Sequence, residues 1–161
     1  MKTCLVGCGG IAAVHGSVLT SDIDTEFVAA ADIKPEKAQT YAENFHTKPY
    51  PSLESMLEAE KPDVLHICTP HYLHVPMAIY SLERNINVFM EKPPAISFDQ
   101  LEELKKAAAK SEAQLGFCYQ NRYNASIRAA KDLIDSGKSG KVLGARAFVT
   151  WCRGAAYYTE S

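Results

Sequence analysis

The stretch Gly7-Cys8-Gly9-Gly10-Ile11-Ala12 lies close to the start of a chain of 161 residues. It matches the pattern GxGxxA, follows a short apolar run at residues 3–6 and opens a segment of helical periodicity. In this context Gly7 allows a tight turn, Gly9 lets the backbone approach a pyrophosphate, and Ala12 lets the helix pack on the sheet. The unpaired N–H groups at such a helix start, where Gly10 and Ile11 lie, favour phosphate oxygens. The stretch therefore predicts a dinucleotide-binding turn between a strand and a helix.

Asp32 follows the next predicted strand and lies about 20 residues beyond the glycine loop, where a carboxylate accepts hydrogen bonds from both hydroxyls of an adenosine ribose. The same charge would repel a 2′-phosphate, so we predict NAD as the cofactor in preference to NADP. Lys34 could offset that charge, and its alternative interpretation is a solvated loop lysine. For the glycine loop at residues 7–12, the alternative interpretation is an ordinary glycine-rich turn.

Short apolar segments alternate with longer segments of helical periodicity along the chain. This alternation is typical of a parallel sheet with helices on both faces. We therefore predict an α/β fold, a doubly wound parallel Rossmann sheet followed by the start of a second α/β domain. The predicted strands are residues 3–6, 26–31, 47–50, 64–68, 87–90 and 114–119, and the predicted helices are residues 10–20, 35–45, 73–84 and 122–136, with two more beginning at Ser52 and at Ser97.

Two domains are expected: residues 1–120 form the dinucleotide-binding domain, and residues 121–161 form a connecting helix and the first strand of an incomplete substrate domain. Ser97 with Gln100 three residues later predicts a capping box, and Gly137 is placed to end the connecting helix. The β-type stretch at residues 141–151 follows a complete six-strand unit, and we predict that it is an unpaired strand.

Composition narrows the class of partner. The net charge of −2, with basic residues scattered among acidic ones, predicts a small-molecule partner and no nucleic acid. No apolar run reaches the roughly 18 residues of a membrane span, and we predict a cytoplasmic protein with no membrane partner. The five cysteines fit buried reduced thiols, and neither they nor the pair His71 and His74 completes a metal site, so no metal is predicted.

Polar residues follow two further predicted strands, where ligands bind in open α/β sheets: Thr69-Pro70 and Glu91-Lys92-Pro93. An ammonium at Lys92 can orient a nicotinamide or a substrate hydroxyl and assist proton transfer. The alternative is a surface turn closed by prolines.

These motifs, together with His74 after Thr69-Pro70 and the stretch Tyr119-Gln120-Asn121-Arg122-Tyr123, resemble the glucose-fructose oxidoreductase / inositol 2-dehydrogenase / rhizopine-catabolism (Gfo/Idh/MocA) family over nearly the whole chain. The resemblance implies a Rossmann domain, a second α/β domain that binds a sugar, inositol or related polyol, and a homo-oligomer. It implies that Lys92 is catalytic and that the bond from Lys92 to Pro93 is cis. The cofactor contacts that it implies come from the glycine loop, Asp32 and a further set: Thr69, Pro70, His74, Glu91 and Gln120.

The chain departs from this pattern at two points. Position 71 is histidine where many members have asparagine, and no histidine follows His74 to act as the general base that members supply from the second domain. Residues 151–158 resemble the entry to that domain. His15 matches a histidine of many members, but a packed helix residue is the preferred interpretation. We therefore expect this chain to bind cofactor without efficient turnover.

Two other classes remain open at this point. A non-catalytic module that senses NAD(H) or pairs with another subunit is favoured by the unpaired strand at residues 141–151. A methyltransferase also has a glycine-rich first turn, but Thr69-Pro70 and Glu91-Lys92-Pro93 argue against it.

Overall fold

The computed structural model describes residues 1–155, and the chain divides into two compact units. The first unit is Met1–Cys118, and the second begins at Tyr119. The boundary expected from the sequence, after residue 120, lies two residues beyond this division. The last part of the predicted second domain, residues 156–161, lies outside the described residues and includes the end of the stretch that resembles a domain entry.

Strands and helices alternate along the first unit, as the sequence predicts, with bounds within two residues of those expected. A short 3₁₀ turn, His71–Leu73, precedes the fourth helix. The elements in chain order are β1 (Lys2–Val6), α1 (Gly10–Ser21), β2 (Glu26–Ala31), α2 (Pro35–Phe45), β3 (Lys48–Tyr50), α3 (Leu53–Glu60), β4 (Val64–Ile67), α4 (His74–Leu82), β5 (Asn87–Glu91), α5 (Phe98–Lys110) and β6 (Leu115–Cys118).

The six strands form one parallel sheet in the order β3-β2-β1-β4-β5-β6. β1 is central: Leu5 is paired with Ala30 of β2 on one side and with His66 of β4 on the other. The strand order reverses direction at β1, so the helices on the two sides cover opposite faces. The predicted α/β fold with a doubly wound parallel sheet is confirmed.

Alternate residues of β1 face the two helix layers, because successive side chains of a strand point to opposite faces. Cys4 and Val6 pack in a large apolar cluster with buried residues of α3, α4 and α5. Leu5 packs on the other face with Ala12 of α1 and Tyr41 of α2. Burial on both faces explains why the strands are nearly continuous apolar runs instead of alternating ones.

The start of α5 is capped as predicted, with one difference. Ser97 Oγ accepts a hydrogen bond of 3.2 Å from the Gln100 N–H. In a capping box the Gln100 side chain would return a bond to the N–H of Ser97, but here its Oε1 accepts from Ile96 N–H at 3.2 Å. The reciprocal bond is therefore shifted by one residue.

The second unit contains a 3₁₀ turn, Gln120–Tyr123, and helix α6, Ala125–Asp135. Gly137 follows α6 with a φ of +71° and donates its N–H to Ile134 O at 3.0 Å, which confirms that it ends the helix. The strand predicted at residues 141–151 is wrong, since no strand is assigned there. A strand needs a neighbour to bond its backbone groups, and no described residue pairs with this stretch.

Among residues 1–155, every helix is too short or too polar to cross a bilayer.

Candidate cofactor site

Four loops meet at one edge of the sheet, because β2, β1, β4 and β5 are parallel neighbours. Gly7 follows β1, Asp32 follows β2, Thr69 comes two residues after β4, and Lys92 follows β5. Ligands of open α/β sheets bind at this carboxyl edge, at the point where the strand order reverses. The fold therefore gathers the main predicted site residues of the first unit along one edge of the sheet.

Gly7 is required by the fold itself. Its φ is +93°, a conformation that other residues rarely adopt, and a Cβ would lie 2.7 Å from the Cys68 carbonyl carbon and 2.8 Å from Thr69 N. Its N–H donates to Ala31 O at 2.8 Å. The turn is thus packed directly against the loop after β4 and tied to the end of β2.

Gly9 and Gly10 have the opposite surroundings. A Cβ on either would meet no protein atom within 4 Å, so packing does not require a glycine there. Gly9 is the N-cap residue of α1, and no side chain caps this helix end. Ile11 in the first turn is 40% exposed. An open backbone and an uncapped helix start fit the approach of a pyrophosphate.

The Asp32 carboxylate is half-buried and joins two loops. Its Oδ2 accepts from Cys8 N–H at 2.9 Å, and its Oδ1 accepts from Lys34 N–H at 2.9 Å. Each carboxylate oxygen keeps a further lone pair for a ribose hydroxyl. Burial, followed by the charge of Asp32, raises the pKa of the Cys8 thiol to about 12, so Cys8 stays neutral beside the carboxylate.

Behind the edge, the buried Glu91 carboxylate is bound by His15 of α1. His15 Nε2 lies 3.0 Å from Glu91 Oε1, and its Nδ1 lies 2.9 Å from Nδ1 of His66. Burial alone would raise the pKa of Glu91, but hydrogen bonds from His15 and Cys118 hold it below its usual range. Burial and the neighbouring His15 lower the pKa of His66 to about 4. Glu91 is thus an ionised group facing inward, and its predicted cofactor contact stays a prediction.

His15, Glu91 and Cys118 also place one ligand atom each within 4.8 Å of one another. The direct hydrogen bond between His15 and Glu91 accounts for this grouping without an ion.

His74 begins α4, as predicted, and is fully buried. Its Nδ1 lies 2.9 Å from Pro93 O, and its Nε2 lies 2.9 Å from Thr69 O. Both ring nitrogens therefore face protein carbonyls, and neither is left for a metal shared with His71. The cofactor contact expected for His74 stays a prediction, and these two bonds show that the ring joins the loops after β4 and β5.

Lys92 is exposed at the end of β5. The peptide bond from Lys92 to Pro93 is cis, as the resemblance implies. The Lys92 N–H donates to Glu91 Oε2 at 3.3 Å. Lys92 therefore has an exposed side chain on a backbone that is held at this edge of the sheet.

The remaining predicted residues differ in their surroundings. Ala12 is fully buried against the sheet, Thr69 is half-buried, and Pro70 is exposed. Gln120 is an exposed residue of the second unit. Their cofactor contacts stay predictions.

Sequence reasoning missed Gly16. A Cβ there would lie 2.5 Å from the Tyr41 hydroxyl and 2.8 Å from the Phe45 ring, so a glycine lets α1 approach α2. Tyr41 in turn donates to Ala12 O at 2.8 Å. Only the contact between the helices makes this glycine necessary, and no local pattern marks it.

A doubly wound parallel sheet, a glycine loop before an uncapped helix and an acid after the second strand define a dinucleotide-binding Rossmann domain. Residues 1–119 match the model of the Gfo/Idh/MocA oxidoreductase family, described by its NAD-binding Rossmann fold. The chain belongs to this family, which excludes the methyltransferase alternative.

Individual relatives cover most of this chain. It is 28% identical over 144 residues to a D-glucoside 3-dehydrogenase of Escherichia coli, with 88% of this chain and 41% of that protein aligned. It is 31% identical over 146 residues to a 2,7-anhydro-N-acetylneuraminate hydratase of Mediterraneibacter gnavus, with 89% and 38% aligned.

Among solved structures, the WlbA dehydrogenase of Chromobacterium violaceum, crystallised with NADH and UDP-GlcNAcA, superposes with a TM-score of 0.83. It is 31% identical, and the match covers 87% of this chain and 41% of that one. The chain thus spans about two fifths of the length of the relatives it matches.

Proposed function

We propose that this chain binds NAD(H) and forms the cofactor-binding part of an oxidoreductase that acts on a sugar, inositol or related polyol. The glycine loop is the main support for this proposal. The fold requires a glycine at position 7, whereas the backbone at Gly9 and Gly10 is open and fits a ligand. Together with Asp32, this loop supplies donors for a pyrophosphate and acceptors for a ribose.

Lys92 is proposed as the catalytic residue. Its ammonium is exposed on a backbone that is fixed at the end of β5, so it can bind a substrate hydroxyl and polarise the O–H bond as the proton leaves. When bound, the nicotinamide supplies the chemistry of accepting or returning a hydride. Within residues 1–161 no histidine follows His74 to serve as a general base.

A carbohydrate or polyol substrate is supported by the relatives, whose names include a glucoside dehydrogenase and a sialic-acid derivative hydratase. These two names describe different net reactions on related compounds. The substrate class is therefore better supported than the particular reaction. Dehydrogenation of a secondary alcohol with NAD is the reaction we propose.

A calorimetric titration of the chain with NAD, NADH, NADP and NADPH tests the cofactor. NAD(H) should bind at least about tenfold more tightly than NADP(H), because a 2′-phosphate would lie against the Asp32 carboxylate. Asp32→Ala should weaken NAD(H) binding and relax this preference. Asp24→Ala, an exposed aspartate at the other end of β2, is the matched control and should leave both unchanged.

The proposal would be overturned if the chain bound none of the four nucleotides and yet unfolded in a cooperative thermal transition, which would show that it is folded. Preference for NADP(H) would keep the fold assignment and reject the role of Asp32.

A non-catalytic NAD(H)-binding module is the weaker alternative. Its main support was an unpaired strand at residues 141–151, and the structure has no strand there.

We also propose a cytoplasmic homo-oligomer. None of the five cysteines, all within residues 1–155, takes part in a disulfide bond, as expected of a reducing compartment. In α6, Ile127, Leu133 and Ile134 are each about half exposed, which favours a covering partner. Light scattering at two protein concentrations tests the oligomer, and a monomer at both would contradict it.

A further inference from the structure

We propose that His15 and His74 are positioning residues that hold the backbone of Lys92 from both sides. This inference rests on the proposed function, in which Lys92 is the catalytic residue, and adds to it how Lys92 is positioned. Neither histidine needs to touch substrate or cofactor for this role, because each is buried and bonded to a residue next to Lys92.

The first side is the carboxylate of Glu91. His15 Nε2 lies 3.0 Å from Oε1, and the other oxygen, Oε2, accepts the N–H of Lys92 at 3.3 Å. Since the Glu91 carboxylate is ionised, the ring nitrogen that faces it donates. Without this donor the buried carboxylate would keep the hydrogen bond from Cys118 but lose the one from His15, and its second oxygen would be held less firmly at the Lys92 N–H.

The second side is the carbonyl of Pro93. His74 Nδ1 lies 2.9 Å from this oxygen, and Nε2 lies 2.9 Å from the carbonyl of Thr69. Carbonyl oxygens only accept, so a ring nitrogen that bonds to one of them donates. The ring thereby fixes the loop after β5 at a set distance from the loop after β4.

The two histidines come from different helices. His15 lies on α1, the helix that follows the glycine loop, and His74 begins α4. The backbone of Lys92 is therefore held relative to two elements. One is helix α1, which starts at the proposed pyrophosphate site, and the other is the loop that contains Thr69. This arrangement accounts for two buried imidazoles that the proposed chemistry does not otherwise use.

Amide exchange measured by NMR on the isotope-labelled 161-residue chain tests the inference without any ligand. Leucine at either position should raise the exchange rate of the Lys92 N–H by about tenfold or more relative to the Leu5 N–H of β1. Glutamine at position 15 should largely restore it, because its amide nitrogen takes the place of His15 Nε2 and donates to the Glu91 carboxylate. Asparagine at position 74 should do the same, because its amide nitrogen takes the place of His74 Nδ1 and donates to Pro93 O.

His46→Asn is the matched control. His46 is exposed, lies at the end of α2 and has a φ of 54°, which asparagine tolerates. It should leave exchange at Lys92 unchanged. If a leucine variant does not fold, asparagine replaces it at position 15, where it is too short to reach Glu91, and alanine replaces it at position 74, where it has no donor for Pro93 O.

A second readout compares NAD with ADP-ribose, which lacks the nicotinamide. Leucine at position 15 or 74 should weaken NAD about tenfold and leave ADP-ribose unchanged, because only the nicotinamide end lies near Lys92. Unchanged exchange at Lys92 in both leucine variants would overturn the inference. Failure of the wild-type chain to bind either nucleotide, with exchange changed as expected, would instead reject the proposed function and keep the positioning role.

Discussion

Gly7 and Gly9 lie two residues apart and serve different purposes. Gly7→Ala places a methyl group 2.7 Å from the Cys68 backbone at a φ of +93°, so we expect it to lower the free energy of unfolding by about 2–4 kcal/mol. Gly9→Ala meets no atom within 4 Å, so the melting temperature should change little while NAD binding weakens about tenfold or more. Thermal unfolding and calorimetry on both variants measure this contrast.

Gly144→Ala is the control, since a Cβ there also lies in open space but outside the glycine loop, and it should leave NAD binding and the melting temperature unchanged. A Gly9→Ala variant that binds NAD as tightly as wild type would remove the loop from the cofactor site. A Gly7→Ala variant of unchanged stability would contradict the crowding argument.

At this scale the sequence predicts some roles better than others. The tight turn at Gly7 follows from a local pattern, and so does the position of Asp32. The contact of Gly7 with the loop after β4, and the bonds of His15 and His74, join residues far apart in the chain, so they depend on strand order. The spacing of residues along the sequence does not predict the order of the strands in the sheet.

The cluster around Glu60 links several elements and predicts a pH effect. Glu60 at the end of α3 accepts from Lys48 Nζ at 2.9 Å and Tyr50 OH at 2.6 Å and pairs with Lys2 at 3.1 Å. The hydrogen bonds from Tyr50 and Lys48 lower the pKa of Glu60 from 4.5 to about 2. We expect Glu60→Gln to cost about 1–2 kcal/mol of unfolding free energy at neutral pH, with partly exposed lysines limiting the effect.

This difference should vanish in acid. A lowered pKa in the folded state stabilises the protein above the unfolded pKa, and the gain is lost as the pH falls through the folded pKa. Wild type and Glu60→Gln should therefore converge between about pH 4.5 and pH 2 in denaturant titrations. A stability difference that stays constant over this range would contradict the prediction.

Elements defined by their own residues are predicted well. β2 and α2 have the predicted bounds because the apolar run and the proline at the first helical turn are local signals. The stretch at residues 141–151 has β-type composition but forms no strand, since strand formation needs a partner and not composition alone.

The whole chain is expected to bind cofactor without completing the reaction. Residues 1–161 span about two fifths of the relatives' length and contain no histidine after His74 to take the hydroxyl proton. With NAD and a panel of glucosides and inositols, nicotinamide absorbance should show no substrate-dependent NADH formation. Saturable formation of NADH with any of these compounds would contradict this expectation.

The most direct test of the central claim is chemical-shift mapping of NADH on the isotope-labelled chain. We expect the perturbed amides to follow the carboxyl edge of the sheet: the glycine loop at residues 7–12, Asp32 and Lys34, Thr69, and Lys92. Amides at the other end of the strands, such as Lys2 and Lys48, should not move. Perturbations confined to that other end, or none at saturating NADH, would contradict a dinucleotide site at the glycine loop.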